Sequence, residues 1–263
     1  MDCRIIAIVN QKGGVGKTTT SINLATALAA VGKRSLLIDL DPQGNASTGL
    51  GVPQQMRRVS SYDVILHDKS IEKALLRTLV PGLDIIPTVV DLSAAEVELI
   101  EVPKREFRLK EQIQKITHLY DYIIIDCPPS LGLLTINALV AANRLLIPLQ
   151  CEFFALEGLA HLMHTVELVK NKLNPDLAIE GIVLTMFDRR NRLTEQVEED
   201  VRHHFGQLVY RQVIPRNVRM SEAPSHGKPA LLYDINCSGS KAYMLLVKEM
   251  LDKQKQPILE DVV

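Results

Sequence analysis

The sequence lacks an excess of charge of either sign. Its 263 residues include 30 Lys and Arg residues against 31 Asp and Glu residues, which gives a formal net charge of -1. A chain with this balance has no overall attraction for nucleic acid or for anionic lipid, so any such binding must come from a local patch. The hydrophobic content of 46% and the mean hydropathy of +0.08 exclude a disordered chain.

The sequence also lacks the cysteine spacing of a metal site or a disulfide framework. There is no C-x-x-C pair and no histidine at zinc-finger spacing. A cytosolic cysteine without a partner is most often a small buried hydrophobic residue, so we assign these side chains no chemistry. The four cysteines are Cys3, Cys127, Cys151 and Cys237.

Long apolar segments are missing as well. The apolar run near the N-terminus is interrupted by polar residues within ten positions, which is too short for a signal sequence or a membrane span. We therefore expect a cytoplasmic protein in a reducing compartment.

Short apolar runs of strand length recur along the chain and alternate with helix-like stretches. Runs such as IIAIV, SLLID and YIIID are apolar on both faces, which is typical of central strands in a parallel sheet covered by helices on each side. We predict an α/β fold with one doubly wound, mostly parallel sheet, and a single domain spanning residues 1–263 with a frayed tail at 253–263. The predicted strands are 5–9, 35–39, 83–87, 122–126, 144–149 and 179–185, and two predicted helices are 21–31 and 154–169.

A glycine-rich loop follows the first predicted strand and leads into a helix. Glycines let backbone N–H groups approach phosphate oxygens without obstruction by a Cβ, and the helix adds its positive N-terminal end. In such a loop Lys17 neutralises the β- and γ-phosphates, and the hydroxyl of Thr18 binds Mg²⁺. We therefore predict a nucleotide-binding fold of the P-loop NTPase type. The loop residues are Lys12, Gly13, Gly14, Val15, Gly16, Lys17, Thr18 and Thr19.

This loop departs from the usual G-x-x-x-x-G-K-[ST] form. Gln11 stands where that form has its first glycine, and an additional lysine, Lys12, opens the loop. By itself Lys12 is better explained as a solvated side chain. However, KGGVGKTTT resembles the deviant Walker A box of the ParA/MinD family of P-loop ATPases. The resemblance implies that Lys12 reaches the phosphates bound by a partner subunit, so that ATP is the ligand that joins a homodimer.

Three aspartates follow apolar strands, where the crevice of such a sheet opens. Each could be a turn or N-cap residue. With a P-loop in the same chain, Asp126 after YIII is interpreted as a Walker B carboxylate that holds Mg²⁺ through water. The segment DLDPQGN resembles the first switch of the family, which implies that Asp41 orients or activates the attacking water and that Asp39 supports the metal. The segment DCPPS resembles the second switch.

Residues 213–229, VIPRNVRMSEAPSHGKP, resemble the segment that packs beside the adenine in chromosomal ParA (Soj) proteins. The resemblance implies base contacts from Pro215 and Asn217, with Met186 opposite them. Composition alone predicts only a loop with a short helix. An apolar wall combined with an amide group does suit a base pocket.

Residues 189–219 hold a local excess of positive charge. Seven arginines face four acidic residues there, a balance of +3 in a chain that totals -1. An ordinary solvated helix gives the same composition. The ParA resemblance implies non-specific DNA binding by the ATP dimer through this region, with Arg189, Arg216 and Arg219 as the best candidates and Arg190 and Arg192 behind them. No aromatic platform accompanies them, which disfavours single-strand binding.

Together the motifs resemble a ParA/Soj ATPase over the whole chain, and no DNA-reading helices precede the ATPase core, as in the short chromosomal type. The resemblance implies ATP and Mg²⁺ as cofactors, location on the nucleoid, and stimulation by a ParB/Spo0J-like partner in chromosome or plasmid partitioning. The main alternative is a membrane-associated MinD-like division regulator. It is disfavoured because the C-terminal sequence contains Pro257 and two late acidic residues, Glu260 and Asp261. A metallocluster carrier and a small-molecule kinase are further alternatives.

Overall fold

The computed structural model describes residues 3–255, and a single sheet of seven strands lies at its centre. The strand order is β3-β4-β2-β5-β1-β6-β7, and every neighbouring pair is parallel except β3 with β4. This architecture confirms the predicted fold class. The strands are β1 (Arg4–Ile8), β2 (Ser35–Asp39), β3 (Leu76–Arg77), β4 (Leu83–Ile86), β5 (Tyr122–Asp126), β6 (Arg144–Gln150) and β7 (Ala178–Thr185).

Helices cover both faces of the sheet. Within the described residues they are α1 (Lys17–Ala30), α2 (Asn45–Gly49), α3 (Ser61–Leu66), α4 (Ala95–Glu98), α5 (Arg108–Ile113), α6 (Leu133–Ala141), α7 (Ala155–Lys172), α8 (Arg192–Phe205), α9 (Val218–Glu222), α10 (Ala230–Tyr233) and α11 (Ser238–Lys255). Within residues 3–255, none of these helices is both long enough and apolar enough to cross a membrane.

The sheet is buried on both faces because its central strands alternate between two hydrophobic cores. In β1, Ile5 and Ala7 belong to the core beneath α5, α6 and α7, whereas Ile6 and Ile8 belong to the core beneath α1 and α11. Strands apolar on both faces are what a parallel sheet under two helical layers requires. The carboxyl ends of β1, β2 and β5 thus meet at one edge of the sheet, where the loops of the candidate site lie.

Most predicted elements agree with the structure to within one to three residues at their ends, and three larger differences have a physical reason. Helix α1 begins at Lys17 instead of residue 21, because Gly16 has the left-handed conformation that starts the helix and its carbonyl accepts from the amide of Thr20. Strand β3 was not predicted, since two residues at a sheet edge give no pattern. Helix α11 continues to Lys255 where a frayed tail was expected, while residues 256–263, including Pro257, Glu260 and Asp261, lie outside the described residues.

Candidate nucleotide site

The loop between β1 and α1 has the backbone conformation of a phosphate-binding loop. Gly14 has a φ of 77° and Gly16 a φ of 88°. Residues other than glycine adopt this left-handed backbone conformation only with strain. Gly16 is also the N-cap of α1, so the loop leads directly into the positive N-terminal end of that helix. The predicted glycine pattern therefore has a structural reason at positions 14 and 16.

Two side chains brace this loop, that of Asn10 at its start and that of Thr185 from β7. The amide oxygen of Asn10 accepts from the backbone N–H of Lys12 at 3.0 Å, and its nitrogen donates to the carbonyl of Pro148 at 2.8 Å. The hydroxyl of Thr185, at the end of β7, donates to the carbonyl of Val15 at 2.7 Å. These residues carry no motif of their own, so sequence analysis missed them.

The two lysines of the loop differ in exposure. Lys17 is buried, and its ammonium donates to the carbonyl of Lys12 at 3.1 Å. Burial lowers the pKa of Lys17, and the nearby carboxylates of Asp126 and Asp41 oppose that shift. The side chain of Lys12 is 50% exposed and forms an ion pair with Glu152, the residue that follows β6 by two positions. Of the two lysine side chains, that of Lys12 can therefore move away from the loop without exposing buried groups.

Two of the predicted carboxylates lie side by side in the interior. Parallel pairing of β2 with β5 places Asp39 opposite Asp126, and both are fully buried. Oδ2 of Asp39 accepts from the amide of Ser47 at 2.8 Å and from its hydroxyl at 2.7 Å. Oδ1 of Asp126 accepts from the hydroxyl of Ser21 at 2.8 Å, whereas Oδ2 has no hydrogen-bond partner among the described residues.

This arrangement fits a bound cation. Burial raises the pKa of Asp126 and that of Asp39. The charges of Asp39 and Asp41 raise the pKa of Asp126 further, and the charge of Asp41 also raises the pKa of Asp39. Within residues 3–255 there is no cluster of three or more His, Cys, Asp or Glu side chains that could hold a metal by itself. A magnesium ion bound here would instead use water, phosphate oxygens and the hydroxyl of Thr18, with the free oxygen of Asp126 nearby.

Asp41 lies in the turn between β2 and α2 and is 9% exposed. Its Oδ1 accepts from the amide of Gln43 at 3.0 Å, and its backbone N–H donates to Asp39 at 3.2 Å. The turn closes when the amide of Gly44 donates to the carbonyl of Asp41 at 2.9 Å. Asp41 therefore combines the turn role that its sequence context allowed with a place near Lys17.

The segment predicted as the second switch leads from β5 into α6. Cys127 and Pro128 are buried, and the amides of Leu133 and Leu134 donate to the carboxylate of Glu96 at 2.8 and 3.3 Å. Glu96, which comes from α4, thus caps the N-terminus of α6. Like Asn10 and Thr185, it is a residue that sequence analysis did not find.

A cleft of about 450 Å³ opens beside the loop. It brings together Gly14, Gly16, Thr18 and Thr19 of the loop with the predicted base-contacting residues Met186, Pro215 and Asn217. The three aspartates are not among its lining residues, and so lie to one side of it.

The predicted base-contacting side chains are also tied into the local structure. The amide group of Asn217 accepts from the backbone N–H of Arg219 and donates to the hydroxyl of Ser238, both at 2.8 Å. Met186 has a φ of 48°, a conformation that is rare outside glycine. The roles of these residues toward a base stay predictions.

The arginines predicted for DNA binding divide into paired and unpaired residues. Segments 187–190 and 213–217 run side by side, since the amide of Arg216 donates to the carbonyl of Phe187 at 3.2 Å. Arg189 and Arg216 are exposed, line a second cavity of about 590 Å³ and have no ion pair within the described part of the chain. Arg190 pairs with Asp188 at 2.8 Å, and Arg219 pairs with Glu222 at 2.9 Å and with Asp234 at 3.6 Å.

Comparisons with known proteins identify the family of the chain. Residues 3–179 match the family model described as an AAA domain. The chain is 57% identical over 254 residues to the chromosome partitioning protein ParA of Caulobacter vibrioides, which covers 96% of this chain and 95% of that protein. It is 54% identical to the sporulation initiation inhibitor protein Soj of Bacillus subtilis, over 94% of this chain and 98% of Soj.

Among solved structures, the chain is similar to cobyrinic acid a,c-diamide synthase from Mycobacterium smegmatis with bound ADP and magnesium. The TM-score is 0.84 and the sequence identity 36%, with 97% of this chain and 96% of that chain covered.

Proposed function

The chain belongs to the ParA/Soj family of chromosome-partitioning proteins, and on that premise we propose that it is a magnesium-dependent ATPase that partitions chromosomal or plasmid DNA. The activity named for the M. smegmatis structure comes with 36% identity, whereas the two named partition relatives are 54% and 57% identical. The higher identity over nearly the full length favours partitioning over that synthase activity.

The observation that carries the ATPase proposal is that the ammonium of Lys17 lies within electrostatic range of the carboxylates of Asp126 and Asp41, at the carboxyl ends of β5 and β2, where Asp39 is paired with Asp126. Lys17 and the loop amides bind the β- and γ-phosphates, and Asp41 orients the attacking water. Magnesium, when bound, neutralises phosphate charge and fixes the geometry of the phosphates. Thr18, Asp126 and Asp39 hold it directly or through water.

The exposure of Lys12 supports an ATP-joined homodimer. Within residues 3–255 its ammonium is held only by the surface carboxylate of Glu152, so it can be released to phosphates bound by a second copy of the chain. ATP then shifts the population from monomer to dimer, and hydrolysis reverses the shift.

The exposed pair Arg189 and Arg216 supports DNA binding by that dimer. Two-fold symmetry doubles the patch, and arginines contact backbone phosphates without reading the sequence. The ion pairs of Arg219 make it the weakest of the three predicted contacts. By relation to the family, a ParB/Spo0J-like partner stimulates hydrolysis. The DNA that the dimer binds is that of the nucleoid.

The decisive experiment uses Asp41→Ala, which is expected to bind ATP but not to hydrolyse it. Its binding to random-sequence duplex DNA and, in parallel, to anionic lipid vesicles is measured with ATP, with ADP and without nucleotide. We expect binding to DNA only, with ATP only, and a steep loss of affinity as the salt concentration rises. Size measurements on the same samples are expected to give a dimer with ATP.

Matched variants separate the parts of the proposal. Replacing Arg189 and Arg216 with alanine is expected to weaken DNA binding equally for all sequences and to flatten its salt dependence, without affecting the dimer. Binding to vesicles in place of DNA would move the protein to the MinD-like class. An Asp41→Ala protein that binds ATP and remains monomeric would refute the dimer.

A further inference from the structure

Arg57 is a buried arginine that has no carboxylate partner within the described residues. It lies between α2 and α3, is 8% exposed, and forms no ion pair there. A charged side chain leaves water only where its hydrogen bonds are replaced. The partners of Arg57 therefore indicate what its charge is used for.

The guanidinium group is held by oxygens of three residues. Nε and Nη2 donate to the carbonyl of Val52 at 3.1 and 2.8 Å, and Nη1 donates to the carbonyl of Thr88 at 3.2 Å. Nη2 also donates to the hydroxyl of Thr48 at 2.9 Å. Thr88 follows β4 and Thr48 is in α2, so this one planar group joins the two segments that flank the end of β2.

The same guanidinium supports the turn that carries Asp41. A Cβ added to Gly44 would lie 2.6 Å from Nη1 of Arg57, so the backbone of Gly44 packs directly against the guanidinium. The amide of Gly44 in turn donates to the carbonyl of Asp41 at 2.9 Å. Any displacement of Arg57 therefore reaches Asp41 through a single residue.

A second chain of contacts leads from Arg57 to Asp39. Thr88, whose carbonyl accepts from Arg57, donates its own amide to the hydroxyl of Ser47 at 3.1 Å. Ser47 donates that hydroxyl and its amide to Oδ2 of Asp39. Asp39 at the end of β2 and Asp41 just after it are thus both held in place by contacts that lead to the guanidinium of Arg57.

We propose that Arg57 is a positioning residue for ATP hydrolysis, whose guanidinium sets the place of the segment 41–48 and through it the places of Asp41 and Asp39. This inference rests on the proposed ATPase function and deepens it. Within residues 3–255 Arg57 makes no hydrogen bond to the loop of residues 12–19, which is braced instead by Asn10 and Thr185. Loss of Arg57 is therefore expected to slow hydrolysis while leaving nucleotide affinity intact.

The neighbouring residue Arg58 provides a matched control. It is exposed and makes no hydrogen bond or ion pair within residues 3–255. The test compares Arg57→Met, Arg57→Lys and Arg58→Met with the unchanged protein by steady-state ATPase kinetics and by equilibrium binding of ADP. Thermal unfolding of each variant fixes an assay temperature at which all of them are folded.

We expect Arg57→Met to lower kcat by roughly tenfold or more, which corresponds to about 1.4 kcal/mol in the barrier, with KM changed by less than about twofold. Arg57→Lys keeps the charge but not the planar, forked guanidinium, and its kcat is expected to lie between those of Arg57→Met and the unchanged protein. Arg58→Met is expected to match the unchanged protein. A folded Arg57→Met variant with the kcat of Arg58→Met, or one whose ADP affinity falls together with kcat, would overturn the inference.

Hydrogen exchange supplies a readout that does not depend on activity. The amides of Ser47 and Thr88 are expected to exchange faster in Arg57→Lys than in Arg58→Met, while the amide of Thr20 in α1 exchanges at the same rate in both. Equal protection of Ser47 and Thr88 in the two variants would refute the positioning role. An unchanged protein that hydrolyses no ATP would refute the proposed function instead, and the exchange result would still decide the role of Arg57 in holding the segment.

Discussion

Replacing Asp126 with asparagine is expected to stabilise the protein in the absence of nucleotide and to abolish the contribution of magnesium to ATP binding. The carboxylate is fully buried, accepts one hydrogen bond from Ser21, and has a second oxygen with no partner in the described part of the chain. Asparagine has nearly the same shape and keeps an acceptor for Ser21. It removes a buried charge that interacts with the ammonium of Lys17.

The magnitude follows from the buried charge, because the asparagine leaves a neutral polar group in place of the unpartnered charged oxygen. Leaving a buried polar group without a hydrogen bond costs about 1–3 kcal/mol, and more for a charged group. Lys17 loses an attractive partner in the variant, which places the net gain near the lower end of this range. For a domain of this size each kcal/mol raises Tm by about 2–4 °C. We therefore expect the Tm of Asp126→Asn to exceed that of the unchanged protein by roughly 2–6 °C at pH 8.

The gain is expected to depend on pH. Burial and the charge of Asp39 raise the pKa of Asp126 in the folded protein above its value of about 3.9 in the unfolded chain. Between these two pKa values the folded protein binds more protons than the unfolded chain, so the unchanged protein loses stability as the pH rises. The advantage of Asp126→Asn is smallest near the unfolded pKa and reaches its maximum above the folded pKa.

Thermal unfolding monitored by circular dichroism between pH 5 and pH 8.5 tests this reasoning, with and without ATP and Mg²⁺. Asp121→Asn is the matched control: Asp121 immediately precedes the other end of β5, is partly exposed, and has its pKa lowered by Arg34. That control should be neutral or slightly destabilising, because a surface ion pair contributes only about 0–1 kcal/mol. A nucleotide-free Asp126→Asn protein that is less stable than the unchanged protein at pH 8, or equally offset at every pH, would refute the argument.

The nucleotide loop, the second switch and the arginine patch each give a further expected outcome. Lys17→Ala should abolish ATP binding by calorimetry, and unchanged affinity would contradict the assignment of the loop. Gly132→Ala should lower the unfolding free energy by about 0.5–2 kcal/mol in denaturant titrations, because the new Cβ would lie 2.6 Å from Cδ of Glu96 and displace the cap of α6; an unchanged midpoint would show that the cap adjusts freely. Arg216→Ala should reduce the salt slope of DNA binding by about one, and Arg219→Ala by less; the reverse order would show that the ion pairs of Arg219 open on DNA.

The sheet and the phosphate loop could be predicted because their signals are local. Runs apolar on both faces indicate buried parallel strands, and a glycine loop between such a strand and a helix indicates a phosphate site. The meeting of Asp39 with Asp126 could be predicted too, since the carboxyl ends of parallel strands share an edge and the register of β2 and β5 pairs these two residues. The hydrogen bonds that Asp39 and Asp126 accept from Ser47 and Ser21 could not be predicted in the same way.

The supporting residues escaped because nothing local distinguishes them. Arg57 and Arg58 are adjacent arginines in a polar stretch. Arg57 is 8% exposed and all three nitrogens of its guanidinium donate hydrogen bonds, whereas Arg58 faces solvent. Whether such a side chain turns inward depends on carbonyls that only the folded chain presents. The pattern of charges along the sequence therefore does not predict which of the two arginines is buried.

The hydrogen bonds that set the geometry of the site also join residues far apart along the chain. Thr185 and Val15 are 170 positions apart, Ser21 and Asp126 are 105 apart, and both pairs meet only because the order of the strands brings β7 and β5 close to the loop between β1 and α1. A motif specifies which groups can bind phosphate and metal, whereas the strand order specifies where those groups stand. Preorganised geometry determines how much a charged group contributes to a reaction, so the rate of this ATPase is expected to depend on residues outside every motif.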